Sequence, residues 1–173
     1  MKSWLITWAG GTITALVGMW LLSGAVQAVG VSLPVSGTVY GAYDYTFEGK
    51  GAWVGHAILS VDGTLVTADM ADRNLTHGRR DNGAIYGTEA ITLTFADGSG
   101  TVEIQAQYDG IPAATPGLYT LHEVGTFANG TGKWANASGQ VTITGPFVLP
   151  HSDMAPGAPP WIAEIHGTIS GVQ

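Results

Sequence analysis

The sequence predicts an all-β domain, most simply an antiparallel barrel of about eight strands closed on itself, with a β-sandwich as the alternative. Three observations lead there. Strand-like runs recur every ten residues or so, divided by turn pairs such as Asp62-Gly63, Asp97-Gly98, Asp109-Gly110 and Pro116-Gly117. Asp-Gly suits turns that need positive φ. No segment beyond residue 28 carries a 3.6-residue apolar period, whereas several alternate with period two. Many short strands with regular turn signals read as a barrel or sandwich, and closure removes exposed edges.

Residues 1–28 stand apart. They hold a single charge, Lys2, then the apolar core Ala15-Leu16-Val17-Gly18-Met19-Trp20-Leu21-Leu22, then Val26-Gln27-Ala28. A positive start, apolar middle and small-residue exit describe a signal peptide helix, with cleavage expected near Ala28 and a secreted or periplasmic product. The segment is also long enough to span a bilayer, so membrane association is expected only if it stays uncleaved. Residues 29–173 then form one domain, large enough to bury a core.

The strands follow in order. Val35 to Phe47 and Ala52 to Val61 come first, and Asp62-Gly63 turns the second into Thr64 to Ala68. Ala84 to Phe95 and Gly100 to Tyr108 flank Asp97-Gly98. Leu118 to Phe127 follows Pro116-Gly117, and Gly139 to Leu149 and Trp161 to Ile169 complete the set. Two segments interrupt the rhythm. Asp69 to Gly83 is polar and charged, and reads as a long loop with a helical turn at Met70-Ala71-Asp72. Pro150 to Pro160 holds four prolines, too many for a strand, and reads as a loop before the last one.

Composition removes several functions. The net charge of −7 disfavours nucleic acid, whose phosphates need a positive surface. Cysteine is absent, which excludes disulfides, a thiolate nucleophile and cysteine zinc sites. The five histidines show no metal-ligand spacing. Asp69, Asp72, His77 and Asp81 sit in one segment without the EF-hand spacing, so a solvated loop is expected rather than a calcium site. No Gly-x-Ser-x-Gly elbow supports Ser-His-Asp catalysis. No metal or organic cofactor is implied.

Alternation marks the residues with chemistry to offer. In Ala84 to Phe95, Glu89 shares a face with Ile85, Gly87, Ile91, Leu93 and Phe95. In Leu118 to Phe127, Glu123 shares a face with Tyr119, Leu121, Gly125 and Phe127. A carboxylate on an apolar face has its charged form disfavoured and its pKa raised. Glu89 and Glu123 are therefore catalytic candidates, with a rim or outer position as the ordinary alternative. His56 joins them more weakly, because both faces of its strand are apolar. Glu103, Gln105 and Gln107 alternate with Val102, Ile104, Ala106 and Tyr108 as a solvent face. Tyr40, Tyr43, Tyr45, Trp53, Tyr86, Tyr108, Tyr119 and Trp134 offer large surfaces with polar tips, suited to a pocket or to core packing. Trp53, Tyr86 and Tyr119 are the candidate ligand contacts.

The bend Gly125 to Gly139 contains Gly130-Thr131-Gly132-Lys133-Trp134, then Ala137 and Gly139. It resembles the Gly-Thr-Gly-basic-aromatic-x-x-Ala-x-Gly signature of the allene oxide cyclase and dirigent barrel superfamily, closest to its secreted bacterial members of unassigned function. Asn129 stands where the family bend has a further glycine, and Trp134 where phenylalanine is usual. The resemblance implies an eight-stranded barrel with an apolar interior, and oligomers. No catalytic position of the plant enzymes is matched. Gly130, Gly132, Trp134 and Gly139 read first as structural, the glycines permitting a sharp bend under the tryptophan.

Three functions are expected. The first is a secreted barrel binding a small apolar or amphipathic ligand inside. The second is a cofactor-independent cyclase or isomerase of the allene oxide cyclase type. The third is a non-catalytic envelope protein, marked by a packed interior and an exposed apolar patch near Met154 and Trp161.

Overall fold

Asp62 and Gly63 both take positive φ, 50° and 78°, and Val61 pairs directly with Thr64. This two-residue turn has the handedness that matches strand twist. Similar local reversals organise the whole chain, seen in a computed structural model that describes residues 31–49, 51–148 and 161–173. Its strands are β1 (Leu33–Asp44), β2 (Ala52–Val61), β3 (Thr64–Arg79), β4 (Ile85–Phe95), β5 (Thr101–Pro112), β6 (Leu118–Ala128), β7 (Ser138–Val148) and β8 (Trp161–Ser170). Each pairs antiparallel with the next, and β1 pairs with β8, closing an eight-stranded barrel. The signal segment with its cleavage point, Met154 and the proline-rich stretch lie outside the described residues.

Alternation assigns the two faces. Ile91 and Leu93 of β4, Val102 and Ile104 of β5, Val141 and Ile143 of β7, and Ile165 and Ile169 of β8 are buried inside. Gln105 and Gln107 face solvent, and Glu103 is partly exposed. Branched side chains stacked this way fill the narrow interior of an eight-stranded barrel.

Three expectations need correction. Asp69 to Gly83 is not a loop with a helical turn: β3 continues to Arg79, paired with β2 as far as Trp53↔Asp72 and with β4 throughout. Its polar character misleads because several of its inward residues are themselves polar. Asp109-Gly110 is not a turn either, since β5 runs on to Pro112. Gly110 is needed for space there, as a Cβ would lie 2.6 Å from Ile85 Cγ1. Trp161 belongs to no exposed patch; it is buried on the barrel interior.

The β3–β4 ladder contains one irregularity. Asn74 pairs with Glu89 and Thr76 with Thr88, so Leu75 is an extra residue in β3. Such a bulge shifts the inside–outside phase of everything after it. Asp72 and Asn74 point inward before it, and His77, opposite Gly87, points inward after it.

The glycine-rich bend closes the end where β6 meets β7. Asn129 adopts φ 48° and Gly132 φ 56°; asparagine is among the few residues that accept this left-handed region, which accounts for its presence before Gly130. A Cβ on Gly130 would meet the Trp134 carbonyl oxygen at 1.7 Å. Trp134, 1% exposed, stacks on Phe95, and its Nε1 donates to Ser99 Oγ at 3.0 Å. Gly139 takes φ 137° against the β8 backbone. These residues plug one end of the barrel.

Candidate ligand cavity

At the opposite end the interior is not filled. A cavity of about 300 Å³ is bounded by Tyr43, Trp53, Asp72, Glu89, Tyr108 and Trp161, among others. It lies where β1, β3, β5 and β7 end and β2, β4, β6 and β8 begin. Its volume falls at the lower end of small-ligand pockets, roughly 300–1,000 Å³.

Three carboxyl side chains from three strands reach it. Asp72 is 2% exposed, Glu89 5% and Glu123 1%. Each is carried inward by alternation. Asp72 lies opposite Ile91, Glu89 opposite Ala106, and Glu123 between Tyr108 and Ile143. Burial raises Glu89 to about 10, with contributions from the nearby Glu123 charge and from a hydrogen bond to Glu123. Glu123 is raised to about 8, by burial first and then by Asp72, while the bond to Glu89 partly offsets the rise. Opposite effects on the two partners fit a protonated Glu89 donating to Glu123. Asp72 is held well above the ordinary carboxylate range by burial and by Glu89. Glu89 and Glu123 are thus largely uncharged at neutral pH.

Four buried polar atoms of this lining have no partner among the described residues: Asp72 Oδ1, Glu89 Oε1, Glu123 Oε2 and Trp161 Nε1. Buried polar groups are usually hydrogen-bonded, so a cluster of exceptions on one cavity calls for an explanation.

The walls are aromatic. Trp53 packs against Tyr43, Trp161 and Phe147, with ring centroids 5.4, 6.0 and 6.4 Å apart. His77 stands nearer the solvent, its Nδ1 2.8 Å from the Tyr108 hydroxyl. The Tyr108 phenol is raised above the usual tyrosine range, by burial first and then by Glu89, Asp72 and Glu123. Burial, followed by Tyr45 and Asp72, also raises Tyr43.

The sequence candidates divide. Glu89, Glu123 and Trp53 line the cavity. His56 does not: it faces outward, with Nδ1 3.0 Å from Asp69 Oδ1. Tyr86 also faces outward, beneath the Arg80 guanidinium. Both corrections follow from strand phase, since each is an odd number of residues from an inward neighbour. Tyr119 is buried but braces Phe147 from behind, with centroids 5.3 Å apart, instead of lining the space. Asp72, Asn74 and His77 were not expected here. Among the described residues, no group of three His, Asp, Glu or Cys side chains is arranged for a metal ion.

No family model, curated protein or solved structure matches the chain. The likeness to the allene oxide cyclase and dirigent barrels therefore rests on the residues of the 125–139 bend alone.

Proposed function

We propose that this protein binds a small amphipathic molecule in the open end of its barrel, after export as residues 29–173. One observation carries the reading: a cavity bounded by aromatic rings and by three buried carboxyls, each with one oxygen that has no partner among the described residues. Apolar walls supply affinity and a few convergent polar groups supply orientation. Native mass spectrometry of the purified protein tests it. A small molecule should travel with the wild type and be absent from Leu121→Trp, which fills the cavity. Retention of the same species by the filled variant would sink the proposal.

A cofactor-independent cyclase or isomerase is the second reading, favoured by the hydrogen-bonded Glu89–Glu123 pair. A carboxyl still protonated near neutral pH can give a proton to a bound substrate, and an ionised neighbour can remove one elsewhere, leaving no net change. Turnover lost in both Glu89→Gln and Glu123→Gln, with binding retained, would distinguish this from binding alone. The envelope-protein reading has less support, because it expects a filled interior.

A further inference from the structure

Resting on the ligand-binding reading, we infer that the occupant is a small organic amine, its ammonium group held by Asp72, Glu89 and Glu123 and its body packed among Tyr43, Trp53, Phe147 and Trp161. Three features lead there. The lining is one-sidedly acidic. Its ionisable groups are Tyr43 of β1, Tyr45 just beyond it, Asp72 and His77 of β3, Glu89 of β4, Tyr108 of β5 and Glu123 of β6. β2, β7 and β8 contribute only Trp53, Phe147 and Trp161, which do not ionise.

Among the described residues, no arginine or lysine lines the space. Arg73 and Arg80 are occupied on the outer surface by Glu48 and Asp109. Among the described residues, His77 is the sole basic side chain on the lining, and its Nδ1 is engaged by Tyr108. A positive counterpart to three buried acids is thus missing from the described lining, and a ligand could supply it. Buried charges persist when they are paired and hydrogen-bonded.

The unpartnered atoms match such a ligand. Asp72 Oδ1, Glu89 Oε1 and Glu123 Oε2 are acceptors once their groups ionise, and an ammonium offers up to three donors. The surrounding rings add attraction for a cation, as their faces carry partial negative charge. Trp161 Nε1 is a donor without a partner among the described residues, so the amine carries a hydrogen-bond acceptor as well, as an aminophenol or amino alcohol does.

The proton balance gives the inference its signature. The amine enters charged and stays charged. A carboxyl that was protonated in the empty cavity releases its proton to the buffer and becomes the partner carboxylate. A neutral or anionic ligand requires no such release.

Isothermal titration calorimetry on the full chain tests it, with tyramine, its neutral alcohol analogue tyrosol, and the corresponding carboxylic acid. Each is titrated near neutral pH in two buffers of different ionisation enthalpy. Tyramine should bind at least about tenfold more tightly than either analogue, as expected for charge-assisted bonds in a desolvated site, and release about one proton per molecule bound. Glu123→Gln and Asp72→Asn, both isosteric with the protonated acids, should each weaken tyramine about tenfold or more while the melting temperature is maintained. If tyrosol or the acid binds as well as tyramine, without proton release, the amine inference fails and cavity binding stands. If no probe of any charge binds, both fall.

Discussion

His77 Nδ1 reaches the Tyr108 hydroxyl at 2.8 Å because a bulge absorbs the one residue by which β3 exceeds what β4 requires. The extra residue, Leu75, is exposed. Deleting it leaves Thr76 opposite Thr88 and His77 opposite Gly87, so His77 follows Asn74 on the same inward face by simple alternation. The barrel should persist, with an unchanged far-ultraviolet spectrum. Nuclear Overhauser contacts between the His77 ring and the Tyr108 ring should survive; their loss would show that the bulge residue itself is needed to hold the two rings together.

Stability should fall as pH rises through neutrality. Unfolded glutamates titrate near 4.5, whereas Glu123 titrates near 8 and Glu89 near 10 in the fold. Between those values the native state binds more protons than the unfolded one, so unfolding free energy declines as pH increases. The stabilisation is complete below the unfolded value and is lost as pH climbs towards the folded ones. Each retained proton contributes a slope of roughly 1.4 kcal/mol per pH unit. Urea titrations from pH 5 to 9 should show that decline. Glu89→Gln should flatten it and raise the melting temperature at pH 8, with little change at pH 5. A variant that is destabilised at both pH values would contradict the assignment of a neutral Glu89.

The plugged end tolerates little change. Gly130→Ala sets a Cβ against the Trp134 carbonyl oxygen, a backbone atom that cannot swing aside. Trp134→Ala removes the stack on Phe95 and the bond to Ser99. Each should cost about 3 kcal/mol or more, in the range for large buried deletions and forced backbone shifts. Chemical denaturation measures this, and a cost below 1 kcal/mol (about the size of a surface substitution) would remove the bend from the core of the argument.

On the outer wall the expectation reverses. His56→Ala and Tyr86→Ala delete exposed contacts with Asp69 and Arg80, and exposed pairs contribute about 0–1 kcal/mol. Both variants should melt close to the wild type and bind any cavity ligand unchanged. A binding defect in either would mean that the ligand also touches the outside of the sheet.

Glu89 and Glu123 were legible in the sequence because each interrupts an otherwise apolar face, and a period-two pattern is enough to expose such an interruption. Asp72 and His77 were not. They lie on a strand whose inward residues near the mouth are polar, and they are five positions apart across a bulge, so alternation assigns them to opposite faces. Residue type alone points to Trp53, whereas His56 lies on a strand with apolar groups on both faces and Tyr86 on the threonine-rich outer face of its strand. Sheet phase, and not residue chemistry, separates these outcomes. The Asp62-Gly63 hairpin was readable from two letters, whereas Asp109-Gly110 uses the same letters inside a strand, where the glycine serves packing.

Seven of the eight strand pairings join neighbours in sequence, and only β1 with β8 joins the two ends of the domain. The seven can form by local zippering, each closing a loop far shorter than the one that joins β1 to β8. The eighth must bring Leu33 against Ile169, and its entropic cost is met before its contacts return anything. Folding should therefore be timed by this seam. Substitutions that weaken Val35 or Ile165 should slow refolding, whereas those in the β4–β5 hairpin should mainly speed unfolding.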